Sequence, residues 1–213
     1  MSKDGSVVIA LAYSATPPVG SPSSYIFLCL FQLENPLKAE AREVLHRLGE
    51  RGIRNVILTG DKTETARRVA AQSGIGNGAK LYLTGRDIDK MSLSEVARQS
   101  EYVSVFARLM PSQKGTVVRL FQQRGHRVAM VGDGSNDVTA LKVADAGISF
   151  FEQSSPLARR AAKVLINDLA DVLLVVRMAV HIREQARLVA FFTRVIFLAL
   201  LFASVYFSVK RLL

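Results

Sequence analysis

Asp133 stands between two glycines, Gly132 and Gly134, directly after the apolar run Val128–Val131, and Asp137 follows four residues later in the stretch VGDGSNDVTAL. An apolar run ending in such a turn reads as a short buried strand that opens into a helix. Glycine tolerates the tight backbone this needs and lets a ligand approach. Ser135 or Asn136 is placed to cap the helix beginning near Asp137, so free N–H groups point toward the Asp133 carboxylate. Two carboxylates this close repel unless a cation separates them. A hard divalent ion, Mg²⁺, bound for phosphate chemistry meets that need. The same letters also suit a plain strand–turn–helix connection whose Asp and Asn only cap, and the stretch alone does not choose.

The elements around this turn bring up two further groups. Val7–Tyr13 and Tyr25–Leu33 read as strands, the second long enough to be central, joined by the turn-rich Ser14–Ser24. Asn35 as cap, Pro36 in the first position, and Leu37, Ala41, Val44, Leu45 and Leu48 at helical spacing predict a helix stopped by Gly52. Ile53–Thr59 follows as a strand that puts the Thr59 hydroxyl at its carboxyl end, before Gly60 and Asp61. Asp61 with Glu64 predicts a capped helix closing at Gly74, and Ser92 with Glu95 a short helix within the otherwise irregular 75–100. Glu101–Ala107 is a strand, and Pro111 opens a helix carrying Val117, Val118, Leu120 and Phe121 to Gly125. The Val128 strand, a helix over Asp137–Ala144 and a strand over Gly147–Phe150 complete an alternation that predicts an α/β fold with a doubly wound parallel sheet. Ligands of such sheets bind at the carboxyl ends of the strands. That rule brings Thr59 and Asp133 to one edge, and Lys114, in the first turn after Pro111, to the same edge as a cation for phosphate. Lys114 also reads as an ordinary solvated helix lysine.

Composition narrows the classes. The 49% apolar content supports a core, and Cys29 as the single cysteine excludes an internal disulfide and predicts a reducing compartment. His46, His126 and His181 share no metal-binding spacing. Half of the +10 net charge lies in residues 151–213, beside the longest apolar run. That arrangement fits the cytoplasmic flank of a membrane span, and without an aromatic platform it argues against nucleic acid as a partner. Met1–Gly5 leads straight into the first strand, so no signal peptide is predicted.

TGDK at 59–62, FARLMPSQK at 106–114 and VGDGSNDVTAL at 131–141 together closely resemble the phosphorylation domain of P-type transport ATPases, within the haloacid dehalogenase (HAD) superfamily. NPLK at 35–38 looks like that family's aspartate-proline-proline/leucine-arginine hinge, with Asn35 and Lys38 departing from it. The resemblance implies a HAD-like, Rossmannoid fold in which Thr59 and Lys114 hold the transferred phosphoryl group and Asp133 ligates Mg²⁺. Asn136 and Asp137 would brace that site, and Gly60 and Asp61 would line the nucleotide side. It implies transfer of the γ-phosphate of ATP to an aspartate, hydrolysis of the acyl phosphate, and coupling to ion transport, a cation being expected.

The family's nucleophile sits in an aspartate-lysine-threonine-glycine motif, which this sequence does not contain. Asp87 and Asp89 in GRDIDK have the superfamily's two-carboxylate spacing but follow Gly85 and Arg86 rather than a buried strand, and read as loop and helix-cap residues. The expectation is the second half of a phosphorylation domain from a longer pump, inactive alone. Residues 1–24 would end a nucleotide-domain-like segment and linker, 25–168 form the partial HAD-like domain, and 169–213 form a stalk and transmembrane helix. Leu188–Val209 is 22 residues with Arg194 its one charge, close to the roughly 20 a span needs. Arg177, Arg183, Arg187 and Arg194 set against Lys210 and Arg211 favour a cytoplasmic amino-terminal side. An amphipathic helix packed on a protein surface is the alternative for this segment. The partners implied are the lipid bilayer, the rest of the pump with its nucleotide-binding and actuator domains and other transmembrane helices, and the transported ion. The alternatives are a stand-alone HAD-type phosphatase and a non-catalytic regulatory protein of the same fold.

Overall fold

The computed structural model describes residues 7–14, 25–33, 36–76 and 81–210, with backbone alone at Val7, Leu81, Val195 and 197–210. The chain divides into two compact units, Met1–Leu169 and Ala170–Leu213. The first holds, in order, β1 (Val7–Tyr13), β2 (Ile26–Leu33), α1 (Ala41–Glu50), β3 (Ile57–Leu58), α2 (Thr63–Ser73), β4 (Leu81–Thr84), α3 (Gly85–Lys90), α4 (Leu93–Ser100), β5 (Val103–Ala107), α5 (Pro111–Gln123), β6 (Ala129–Val131), α6 (Val138–Val143), β7 (Ala146–Phe150), α7 (Pro156–Ala161) and β8 (Val164–Ile166).

The expected alternation is present and its pairing is parallel, but among the described residues it forms two three-stranded sheets, β3-β5-β4 and β6-β7-β8, rather than one. β2 is not the central strand its hydrophobicity predicts. It pairs antiparallel with β1 in a separate ribbon, leaving Ile26, Phe27, Leu28, Leu30, Phe31 and Leu33 exposed. A continuous apolar run ordinarily marks a strand covered on both faces. Here the neighbouring strand satisfies its backbone locally, so periodicity alone misplaced it.

Helix boundaries shift for identifiable reasons. α1 starts at Ala41 behind Glu40, so Pro36 lies before the helix, and Asn35 and the linker at 15–24 are outside the described residues. Ala41, Val44 and Leu48 still supply its buried face, and Gly52 ends it at φ 73°. β3 is shorter than Ile53–Thr59 because side chains take over its first half. Arg54 donates to Ser100 O and Val103 O at 2.7 and 2.6 Å, and Asn55 donates to Leu45 O at 2.9 Å. α2 opens at Thr63 behind Lys62, so Asp61 does not cap it, whereas Gly74 closes it in the left-handed conformation at φ 74°. α4 carries the predicted Ser92–Glu95 capping box.

α5 lies between two apolar clusters, placing Val117 in one with Phe106 and Phe121, and Val118 in the other with Met130 and Leu141. Leu58 and Val128 pack against both clusters. The second unit is α8 (Asp171–Lys210), a 40-residue helix that fuses the predicted stalk and apolar run. Among the described residues no helix is long and apolar enough to cross a membrane. Most of Leu188–Val209 falls where backbone alone is described.

Candidate functional site

Thr59 extends β3 by one bond, its N–H donating to Phe106 O at 2.9 Å. The chain leaving β5 then folds back over it, with Leu109 N–H donating to Thr59 O at 3.0 Å and Arg108 N–H to Asp61 O at 2.9 Å. Arg108 takes φ 52°, a left-handed conformation uncommon outside glycine, so the two loops are fastened at some conformational cost. Asp61 N–H donates to Thr59 Oγ1 at 3.0 Å, which leaves the hydroxyl proton free to be given away. Gly60 and Asp61 are exposed beside it.

That fold-back leads into α5, with Pro111 in its first turn, and Lys114 follows. Lys114 is not a solvated lysine. Its Nζ donates to Asp137 Oδ1 at 2.6 Å, and the two side chains are 5% and 8% exposed. Asp137 Oδ2 accepts Gly134 N–H at 3.3 Å. A Cβ on Gly132 would lie 2.7 Å from Asp137 Cβ, so glycine is required there for the pair to close. Lys114 thus supplies a cation to Asp137, the second of the two aspartates, from within the protein.

Asp133 remains exposed on the turn, and its carboxylate has no partner among the described residues. Its backbone is held from behind: Ser155 N–H donates to Asp133 O at 2.8 Å, and the buried Ser149 hydroxyl donates to Gly132 O at 2.8 Å. Neither Ser135 nor Asn136 caps a helix. A single 3-10 turn, Ser135–Asp137, leads into α6 with no cap bond from either side chain, and the Asp137 carboxylate reaches back to accept the Gly134 N–H. No group of three or more His, Cys, Asp or Glu able to hold a metal occurs among the described residues. With both Asp137 oxygens engaged, Asp133 is the one of the two turn aspartates whose carboxylate has no protein partner among the described residues. One exposed carboxylate with water and phosphate oxygens is a donor set that suits Mg²⁺.

Two contacts join the turns at the carboxyl ends of three strands: Leu109, after β5, bonds Thr59, after β3, and Lys114, in α5, bonds Asp137, after β6. Sequence reasoning missed Gln113. Nearly buried, it accepts Met110 N–H at 2.8 Å and donates to Gly85 O at 3.0 Å and Asp89 Oδ1 at 2.7 Å, tying the start of α5 to α3. Only its position three residues after the cap could have pointed to it, and a methionine at the cap hides that signal. Asp87 closes a capping box on Thr84, whose hydroxyl and N–H hold its carboxyl below the usual range. Lys38, of the hinge-like motif, reaches Gln153 Oε1 at 3.3 Å and lies over the Phe150 ring.

Residues 15–145 match the model of the haloacid dehalogenase-like hydrolases. The cation-transporting ATPase pma1 of Synechocystis is 38% identical over 67% of this chain and 16% of its own length. Calcium-transporting ATPase 1 of Yarrowia lipolytica is 34% identical over 79% of this chain and 19% of its own. The human calcium-transporting ATPase type 2C member 2 is 33% identical over 74% and 16%. The chain therefore spans less than a fifth of the length of these curated relatives. With its parallel α/β sheets and the match over residues 15–145, the chain belongs to the haloacid dehalogenase-like hydrolase family, and its relatives are P-type cation-transporting ATPases.

Proposed function

We propose that this chain is the phosphoryl-handling part of a P-type cation pump, in which ATP hydrolysis through an aspartyl phosphate drives a cation, calcium by the names of several relatives, across a membrane. The observation that carries it is the buried Lys114–Asp137 pair, whose lysine stands in the helix that starts from the loop clamped to Thr59. A buried lysine held by one carboxylate oxygen still has ammonium protons to give a phosphoryl oxygen. Thr59 would donate its hydroxyl proton to a second oxygen, and Gly60 and Asp61 would border the nucleotide. Asp133 would hold Mg²⁺, which when bound neutralises phosphate charge. Asp137 fixes the lysine, and Asn136 lies on the adjoining turn, its Oδ1 over Gly134. Donors placed before reaction need no rearrangement as charge develops, and so favour transfer.

The aspartate that accepts phosphate comes, on this reading, from outside the sequence given, and the chain alone forms no acyl phosphate. The bilayer, the remaining pump domains and the transported ion are the partners, with this domain on the cytoplasmic side and 169–213 leading into the membrane. A stand-alone phosphatase would need Asp87 or Asp89 as nucleophile, but one is a helix cap and the other a Gln113 acceptor. A purely regulatory protein would use the buried Lys114–Asp137 pair for stability alone. Titrating Mg²⁺ while following backbone amide resonances tests the site. Shifts at Gly132–Gly134, lost in Asp133→Asn, are expected, and unmoved resonances would overturn the metal assignment. Labelled ATP with Mg²⁺ should leave no acid-stable label on the chain, and strong labelling would refute the absence of a nucleophile.

A further inference from the structure

Ser149, in β7, and Ser154, in the loop after it, are buried hydroxyls. Apolar side chains could fill both positions without needing partners, whereas a buried hydroxyl must find one. Ser149 Oγ reaches Gly132 O and Ser154 Oγ, each at 2.8 Å, and Ser154 Oγ accepts Phe150 N–H at 2.9 Å. The buried oxygens thus follow one another in a chain that ends on the peptide leading into Asp133. One residue further on, Ser155 N–H donates to Asp133 O at 2.8 Å, while the Ser155 hydroxyl accepts Ala158 N–H at 3.2 Å and caps α7. Both carbonyls beside the Asp133 Cα are therefore held by one stretch of chain, Ser149 to Ser155. Each belongs to a planar peptide group, so holding the two oxygens sets the planes on either side of that atom and the direction of its Cα–Cβ bond. From the other side, Asp137 Oδ2 takes Gly134 N–H. A carboxylate on a free turn gives up backbone as well as side-chain freedom when it grips a cation. Here only the side-chain torsions of Asp133 remain to be fixed.

We propose that Ser149, backed by Ser154, is a positioning residue for Mg²⁺: through the Gly132 carbonyl it holds the Asp133 carboxylate in its binding direction. The proposal rests on the reading of Asp133 as the metal ligand, and adds the residues that aim it. Groups bonded behind a metal ligand typically govern affinity by about 10–100-fold.

The test uses the full chain and Mg²⁺ alone, read at the amide resonances of Gly132–Gly134. Ser149→Ala, which leaves Gly132 O without its hydroxyl donor, should weaken Mg²⁺ binding at least about tenfold. Ser154→Ala should weaken it less, because Ser149 still reaches Gly132 O, and Ser154→Thr, which keeps the hydroxyl, should match the parent. Ser100→Ala is the control. The Ser100 hydroxyl is as deeply buried and donates to Ala97 O at 2.7 Å, at the end of α4, so its loss should lower stability and leave Mg²⁺ affinity unchanged. Unchanged affinity in Ser149→Ala, an equal loss in Ser100→Ala, or a Ser154→Thr variant as weak as Ser154→Ala overturns the proposal. A second readout needs no metal. Hydrogen exchange at the Ser155 amide, which bonds Asp133 O, should quicken about fivefold in Ser149→Ala and stay as in the parent in Ser100→Ala. A parent chain whose turn amides ignore Mg²⁺ overturns the metal reading itself. Quickened exchange would then still show the serine holding the turn, and unchanged exchange would overturn that hold as well.

Discussion

Lys114 Nζ and Asp137 Oδ1 stand 2.6 Å apart with both side chains nearly sealed from solvent. Removing one partner strands a buried charge, whereas removing both strands none. Asp137→Ala and Lys114→Met should each destabilise the first unit by roughly 3–5 kcal/mol, and the double variant by distinctly less than their sum. Urea unfolding followed by fluorescence of an added probe on each protein measures this, and additive losses would show that the pair is not coupled.

Gly132 and Gly134 flank the same aspartate turn but differ in what a methyl group would strike. At Gly132 the obstacle is Asp137 Cβ at 2.7 Å, fixed by the ion pair, while at Gly134 it is the Oδ1 of the exposed Asn136. Gly132→Ala should therefore lose about 1–3 kcal/mol, the usual penalty of overpacking, and Gly134→Ala clearly less because the asparagine can swing away. Equal losses in chemical denaturation would show that Asn136 is held as firmly as Asp137.

The legibility of this site in the sequence follows from how local each determinant is. Pro111 opening α5, the Ser92–Glu95 box and the left-handed Gly74 were readable because each acts within a few residues. The parallel pairing of the strands that Thr59 and Asp133 follow was readable from their alternation with helices, although they stand in two sheets rather than one. The partner of Lys114 was not, since Asp137 reaches it only when α5 packs on the turn after β6. Gln113 and Ser149 escaped for the same reason, their targets at Gly85, Asp89 and Gly132 being distant in sequence. Asp61 misled because its N–H and C=O serve Thr59 and Arg108, and Tyr25–Leu33 misled because an apolar run does not say which strand it will pair with.

Asp87 and Asp89 separate a structural role from a catalytic one. Asp87→Ala removes the Thr84 capping box and should lower stability by about 1 kcal/mol. Asp89→Ala deprives Gln113 of a charged acceptor, a loss of about 1.5–3 kcal/mol, and should speed amide exchange at the start of α5, near Lys114. Neither should alter turnover of small phosphate esters, expected to be at background throughout. Activity that either substitution abolishes would instead support the phosphatase reading.

Asp145 fastens the amino-terminal ends of β6 and β7. It accepts Val128 N–H at 2.9 Å and Gln122 Nε2 at 3.0 Å, and Arg127 pairs with it at 3.0 Å. These contacts, the Val128 N–H foremost, favour the ionised form and lower its pKa to about 2. A carboxyl depressed in the folded state stabilises it fully above the unfolded value, near 4, and loses that contribution as pH falls through about 2. Because the group is partly exposed and Arg127 almost wholly so, solvent screening holds the worth of the contact to roughly 1 kcal/mol. Asp145→Ala should thus lie below the parent chain by about that much at pH 6, and the gap should close progressively between about pH 4 and 2 as the parent loses the carboxylate. Urea midpoints measured across this range decide it. A gap that persists unchanged at pH 2 would mean that the contacts do not depend on the ionised carboxylate, and that β6 and β7 are joined at this end by packing rather than charge.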